Sequence, residues 1–233
     1  MFSELDNRDY PANSVILVKD GFIVREEYYN DFNYNTEFNT YSVTKSFTSA
    51  LVGIAIDQGL ITSVNDSIWD YFPNRTFESD SPNKQKVTIK HILMMTSGID
   101  YGSDPTLAPT VEGSRAEYVL NRPVKYEPGT VWVYDSQAPS VLLRIIELQS
   151  NMTVVQFAEE YLFGPLQIQN PLWTEDESGL AFGGFGLYLA PREMAKLGQL
   201  YIQGGMWNNS RIVSEQWVNE STTDSLDPNI KFI

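Results

Sequence analysis

Cysteine is absent from this 233-residue chain, and histidine occurs once, at position 91. Without cysteine there is no disulfide, no thiolate nucleophile and no zinc–thiolate centre. With one histidine, a Ser–His–Asp triad has only His91 to build on. Basic residues are scarce too: 16 Lys and Arg stand against 30 Asp and Glu, a formal charge of −14. That balance argues against phosphate backbones and anionic membrane surfaces as partners. No run approaches the ~18 apolar residues of a membrane span, so neither a nucleic-acid partner nor an integral membrane segment is expected. Met1-Phe2-Ser3-Glu4-Leu5-Asp6 lacks the basic and apolar regions of a signal peptide. Asn65, Asn74, Asn151, Asn208 and Asn219 each open an Asn-x-Ser/Thr acceptor, which would fit an extracytoplasmic setting if a leader preceded the chain.

What is present suits a folded globular domain. Hydrophobic residues make up 42% and aromatics 13% of the chain, enough for a substantial core. Ser42-Val43-Thr44-Lys45 opens a run to Gln58 whose apolar residues Val43, Phe47, Leu51, Ile54 and Ala55 recur at helical spacing. Residues three apart share a helix face, so Lys45 can reach back to the Ser42 oxygen. As first helical residue, Ser42 would also lie where unpaired N–H groups and the helix dipole favour developing negative charge. A serine so placed has a proton acceptor and an anion-stabilising field together. The plainer alternative is an N-capping serine beside a snorkelling lysine. A second copy of the pattern, Ser81-Pro82-Asn83-Lys84, lies in a polar stretch and reads as a solvated loop. The acidic run Glu175-Asp176-Glu177 has no partnering histidine and reads as a solvated loop, with no metal site expected.

Along the chain, Ser14–Lys19 and Phe22–Tyr29 flank Asp20-Gly21 and predict an opening hairpin. The Ser42 helix should end at Gly59. Thr88 predicts a capped helix through His91 and Met94 to Gly98, and Ser114–Asn121 a short one. Glu127-Pro128-Gly129 is a turn, and Thr130–Tyr134 should be extended. Pro139–Gln149 and Thr153–Phe163 predict helices, the second with a Thr153/Gln156 capping box. Pro191 suits the first turn of a further helix ending near Gly204-Gly205, and Ser214 opens a last one. The pattern suggests an incomplete α/β lobe (1–60 and 176–233) split around a mainly helical lobe (61–175), with few strong strands after the hairpin.

The chain resembles the serine hydrolases related to class C β-lactamases and D-alanyl-D-alanine carboxypeptidases, above all the esterase and amidase branch that includes 6-aminohexanoate-dimer hydrolases. The resemblance runs from about Ser14 to Trp217. It rests on Tyr41-Ser42-Val43-Thr44-Lys45-Ser46-Phe47, Lys90-His91-Ile92-Leu93-Met94-Met95-Thr96-Ser97-Gly98, Glu127-Pro128-Gly129-Thr130, Tyr134-Asp135-Ser136 and the stretch Gly183 to Glu193, in register. It implies an α/β (α+β), β-lactamase/transpeptidase-like fold: an antiparallel sheet flanked by helices plus an all-helical lobe. It implies Ser42 as acylated nucleophile, Lys45 as proton-relay partner and Tyr134 as the tyrosine of a Tyr-x-Asn motif, with no metal or organic cofactor and a small-molecule ester, amide or peptide as substrate. Ser136, in the place of that motif's asparagine, is expected to bind substrate or Lys45 and fits the esterase/amidase branch better than β-lactam recognition. His91 is expected to be structural. Gly183, Gly184 and Gly186 should let backbone pass close to the site or turn.

The family's third motif, Lys/His-Thr/Ser-Gly on a late strand, does not occur in this sequence. The resemblance therefore implies a truncated member whose C-terminal sheet strands lie beyond Ile233, with a second reading as a catalytically impaired binding or assembly module.

Overall fold

Residues 12–75, 82–102, 112–223 and 230–232 are described by the computed structural model. In chain order the elements begin with β1 (Ser14–Lys19), β2 (Phe22–Tyr28) and β3 (Phe38–Asn39). A 3-10 turn (Tyr41–Val43) then leads into α1 (Thr44–Asp57). Helices α2 (Ile89–Leu93) and α3 (Arg115–Leu120), strand β4 (Val131–Trp132), and helices α4 (Pro139–Ser150) and α5 (Val154–Ala158) follow. The chain continues through β5 (Leu172–Trp173), β6 (Leu187–Leu189), α6 (Pro191–Ile202), β7 (Met206–Trp207), β8 (Ser210–Arg211), α7 (Glu215–Thr222) and β9 (Lys231–Phe232).

The opening hairpin forms as its sequence predicts. Asp20 and Gly21 both hold positive φ, 53° and 82°, as a two-residue turn between twisted strands requires. Strand β1 lies on α6, while Leu17, Phe22, Ile23 and Val24 remain exposed, Phe22 at 74%. The remaining strands are short. β3, β6 and β5 make an antiparallel three-stranded sheet in that order, β4 pairs parallel with β9, and β7 pairs antiparallel with β8. Two- and three-residue strands carry no readable alternation, which is why the sequence shows so few.

Helix α1 is the centre of the molecule. Phe47, Ala50, Leu51, Val52, Ile54 and Ala55 are all buried, so the helix is enclosed on more than one face, as a core helix is. It packs on α4, which buries Val141, Leu142, Leu143, Ile145 and Ile146. The Phe47 ring stands 6.2 Å from Phe163, and Phe163 is 6.2 Å from Trp173.

Two expectations need correction. The helix expected over Thr153–Phe163 is α-helical only through Ala158, then widens to a π-turn, Glu159–Phe163. The Gly164 N–H donates to the Glu159 carbonyl at 2.9 Å, an approach that a side chain at Gly164 would block. The wider turn puts Leu162 and Phe163 into the core together. The second Ser-x-x-Lys copy is not a solvated loop at its lysine. Ser81 lies outside the described residues, but Lys84 is only 3% exposed. Its Nζ sits 5.4 Å from the centre of the Trp69 ring, and Trp69 Nε1 donates to its carbonyl. The alkyl stem and a cation–π contact make that burial tolerable.

Gly53, mid-way along α1, marks a close helix crossing: a Cβ there would enter the Trp217 indole of α7. Helix propensity alone makes Gly→Ala stabilising by about 1 kcal/mol, whereas overpacking costs about 1–3 kcal/mol. Gly53→Ala should therefore lower the melting temperature, by about 2–4 °C per kcal/mol, and the sign should reverse in a Trp217→Leu background. A more stable Gly53→Ala single variant would refute the close crossing.

Candidate active site

The N-terminal end of α1 is stitched to β6 by threonines. The Thr40 N–H and hydroxyl both donate to the Leu187 carbonyl (2.8 and 2.9 Å). The Thr40 and Thr44 hydroxyls meet at 2.9 Å, and the Leu187 N–H donates to Thr44 Oγ1 at 3.3 Å. Ser42 is thus not the first residue of the α-helix. It occupies the 3-10 turn before Thr44, because the chain arrives through a left-handed Tyr41 (φ 46°) and turns tightly onto the threonine clamp. The shift leaves the expected pairing intact. Ser42 is exposed, Lys45 half-buried, and Lys45 Nζ lies 3.2 Å from Ser42 Oγ.

Tyr134 and Ser136 come from the segment between β4 and α4, and both reach the same lysine. The Tyr134 hydroxyl donates to Ser42 Oγ at 2.6 Å. Lys45 Nζ is 3.3 Å from the Tyr134 oxygen, 3.2 Å from Ser136 Oγ and 2.8 Å from the Gly184 carbonyl. An ammonium has three N–H bonds, yet four oxygens stand within reach. All four residues expected at the site, Ser42, Lys45, Tyr134 and Ser136, are therefore brought together. The Tyr134 hydroxyl is held below the usual tyrosine range chiefly by its bond with Ser42. Partial burial opposes this, and the Lys45 charge adds to it.

Gly183 and Gly184 pass through a gap that leaves no room for a side chain. A Cβ on Gly183 would strike the Pro139 backbone, and one on Gly184 the Ser136 carbonyl. Only bare backbone fits, and three of its polar groups are hydrogen-bonded. The Gly183 carbonyl accepts from Thr48 Oγ1 (2.8 Å), its N–H donates to Ser140 Oγ (3.2 Å), and the Gly184 carbonyl accepts from Lys45. Gly186, at φ 87°, then turns the chain into β6.

Two residues to which the sequence reading gives no role support the site. Asp135, 5% exposed, points away from Ser42 and fastens the start of α4. Its Oδ1 accepts from the Gln137 and Ala138 N–H groups (2.7 and 3.0 Å), and its Oδ2 from the Tyr101 hydroxyl (2.8 Å). Burial pushes its carboxyl up, against the pull of those donors and of Lys45. Arg115, also buried, donates to Gln137 Oε1 and lies 4.5 Å from the Phe182 ring centre. No pattern marks either one: an aspartate between a tyrosine and a serine looks like loop, and a lone arginine in a short helix looks like surface.

His91 stands outside the Ser42 hydrogen-bond network. Its Nδ1 accepts the Thr88 N–H at 3.1 Å while the His91 N–H donates to Thr88 Oγ1 at 3.2 Å, a reciprocal cap on α2. Burial depresses its pKa. In the acidic run, Asp176 is half-buried and accepts the Arg115 N–H at 2.7 Å and the Ser178 and Leu180 N–H groups, ordering its own loop. The run is a largely solvated loop, with Glu175 and Glu177 exposed and Asp176 partly withdrawn to hold the turn.

The model of the beta-lactamase family matches residues 1–232. The chain belongs to this family. It is similar to the 6-aminohexanoate-dimer hydrolase of Paenarthrobacter ureafaciens, with 27% identity over 227 residues, covering 89% of this chain and 56% of that protein. It is similar also to an uncharacterized protein of Alkalihalophilus pseudofirmus, 25% identical over 236 residues, covering 89% and 63%. The chain thus spans 56–63% of the length of these two curated relatives. Among solved structures, a candidate beta-lactamase from Bacteroides dorei superposes with a TM-score of 0.82 at 20% identity, over 100% of this chain and 69% of the other. A candidate 6-aminohexanoate-dimer hydrolase from Bacillus anthracis gives 0.81 at 18%, over 99% and 65%. The fold is accordingly the mixed α/β architecture of β-lactamases and penicillin-binding proteins.

The buried Asp135 generates a prediction. Its folded pKa is raised, so its carboxyl contributes stability that is full below the unfolded pKa and is lost as pH rises through the folded value. Asp135→Asn keeps an acceptor for the two α4 amides and should remove that decline, making urea stability flatter from acid to neutral pH. Asp135→Ala leaves those amides without an acceptor and should cost about 1–3 kcal/mol at neutral pH. Parallel pH profiles for the parent and Asp135→Asn would rule this out.

Proposed function

We propose that the protein is a serine hydrolase that cleaves an ester, amide or small-peptide bond through an acyl-enzyme on Ser42. One observation carries the reading: Ser42 Oγ lies 2.6 Å from the Tyr134 hydroxyl and 3.2 Å from Lys45 Nζ. A serine hydroxyl attacks a carbonyl only as it loses its proton, and a phenolate at hydrogen-bond distance is the acceptor. A free tyrosine, at a pKa near ~10, is seldom ionised at neutral pH; the lowered Tyr134 is ionised more often. Proton transfer runs from Ser42 to Tyr134 as the tetrahedral adduct forms, and from Tyr134 to the leaving group as the adduct collapses. Water then repeats the cycle on the acyl-enzyme. Lys45 supports the phenolate throughout. The Ser42 N–H, in the first turn where amides lack intrahelical partners, offers a donor to the developing oxyanion. The scheme invokes no metal or organic cofactor.

Substrate class is narrowed by Ser136. An asparagine amide there would offer a donor and an acceptor side by side, while a hydroxyl offers one rotating group, here within reach of Lys45. That supports simple esters and amides over β-lactams, as does the name of the 6-aminohexanoate-dimer relative.

A fluorophosphonate probe followed by intact mass and peptide mapping tests the assignment. Ser42 should be the labelled residue and Ser42→Ala should abolish labelling and turnover; a folded protein that takes no label would favour a binding or assembly module. Lys45→Ala and Tyr134→Phe should each slow acylation by about 100-fold or more, and the double variant should lose far less than the product of the two, since they act as one unit. Acylation should also rise with pH through a midpoint below that of free tyrosine, and Tyr134→Phe should lose that limb. A multiplicative double variant, with the rising limb still present in Tyr134→Phe, would mean the relay is misassigned.

A further inference from the structure

Tyr41 stands in the left-handed region (φ 46°) with a side chain 71% exposed. Non-glycine residues pay for this conformation, and where they hold it at a functional site something nearby over-determines it. Here the fastening is visible. Asn39, the last residue of β3, accepts the Tyr41 N–H on Oδ1 at 2.8 Å, and its Nδ2 faces the Tyr188 hydroxyl of β6 at 3.4 Å. Asn39 is itself anchored, since β3 pairs with β6 through Asn39 and Tyr188. A side-chain oxygen that takes the N–H two residues on replaces a backbone turn and fixes the direction of the chain. The next residue is Ser42, whose Oγ and N–H both take their direction from that turn.

We infer that Asn39 is a positioning residue, a latch that holds Tyr41 left-handed and thereby aims Ser42 at Tyr134 and Lys45. The inference rests on the reading of Ser42 as nucleophile for its kinetic consequence, but not for its structural one. Without the latch, Tyr41 relaxes toward negative φ and Ser42 swings away. A misplacement of about 1 Å at a reacting atom costs on the order of 100-fold.

A double-mutant cycle separates this role from a merely structural one. Asn39→Ala should lower kcat and the rate of Ser42 labelling by about 10–100-fold with KM little changed. Asn39→Asp, which keeps the acceptor, should recover most of that loss. In a Tyr41→Gly background, where φ > 0 needs no support, Asn39→Ala should cost no more than about 3-fold relative to Tyr41→Gly alone. Equal losses from Asn39→Ala with either residue at position 41 would overturn the inference, as would an Asn39→Asp variant as slow as Asn39→Ala. Amide exchange at Tyr41, followed by NMR, reads the latch without any reaction: protection should vanish in Asn39→Ala and persist in Asn39→Asp. If the parent protein takes no label but the exchange pattern holds, the nucleophile assignment fails while the latch stands. Unchanged Tyr41 exchange in Asn39→Ala removes the latch whatever the kinetics.

Discussion

The ribbon Gly183-Gly184, squeezed between α1 and α4, is the constraint on which the site's dimensions depend. Thr48 and Lys45, one turn apart on α1, donate to its two carbonyls, and Ser140 on α4 takes its N–H. The ribbon is therefore a spacer between the two most buried helices. Lys45 Nζ is fixed in height by a backbone oxygen that cannot rotate away, and the backbone that carries Ser136 is held against the other side of the same ribbon. A wider spacer, with any side chain, would push α4 and the segment before it, which carries Tyr134, away from the serine.

Much of the helical framework was legible in advance, because helices carry their evidence in periodicity and caps. Thr88, Ser114, Thr153 and Ser214 each cap the helix they precede, and Pro191 opens α6. Of the later strands only β4 was anticipated, within the extended Thr130–Tyr134; the others were not legible. They are two or three residues long, and their pairing is decided by what lies across the gap. Leu187 is in β6 because Thr40 and Thr44 grip its backbone, a fact spread over 147 residues of chain.

The site shows the same division. Ser42 and Lys45 could be paired from spacing alone, since three residues of helix bring them together. Tyr134 and Ser136, 89 and 91 residues from Lys45, could be placed beside it only through likeness to a family. Asp135 and Asn39 escaped both routes. Their roles are to fix backbone rather than to present chemistry, and an oxygen that accepts an N–H two residues away leaves no mark on composition or spacing. The buried Lys84 failed for a related reason: a Ser-Pro-Asn-Lys stretch reads as solvent-facing until Trp69 is known to lie over it.

The crowd of oxygens around Lys45 has a consequence for the reaction proposed at Ser42. At rest the ammonium is over-subscribed: the Gly184 carbonyl holds it at 2.8 Å, while Ser42, Tyr134 and Ser136, at 3.2 to 3.3 Å, compete for its two remaining protons. On the proposed mechanism an acyl group on Ser42 would make its ester oxygen a poor acceptor and remove it from the competition. Three acceptors would then remain for three protons. The order gained on such an acylation would come from within the protein's own hydrogen bonds.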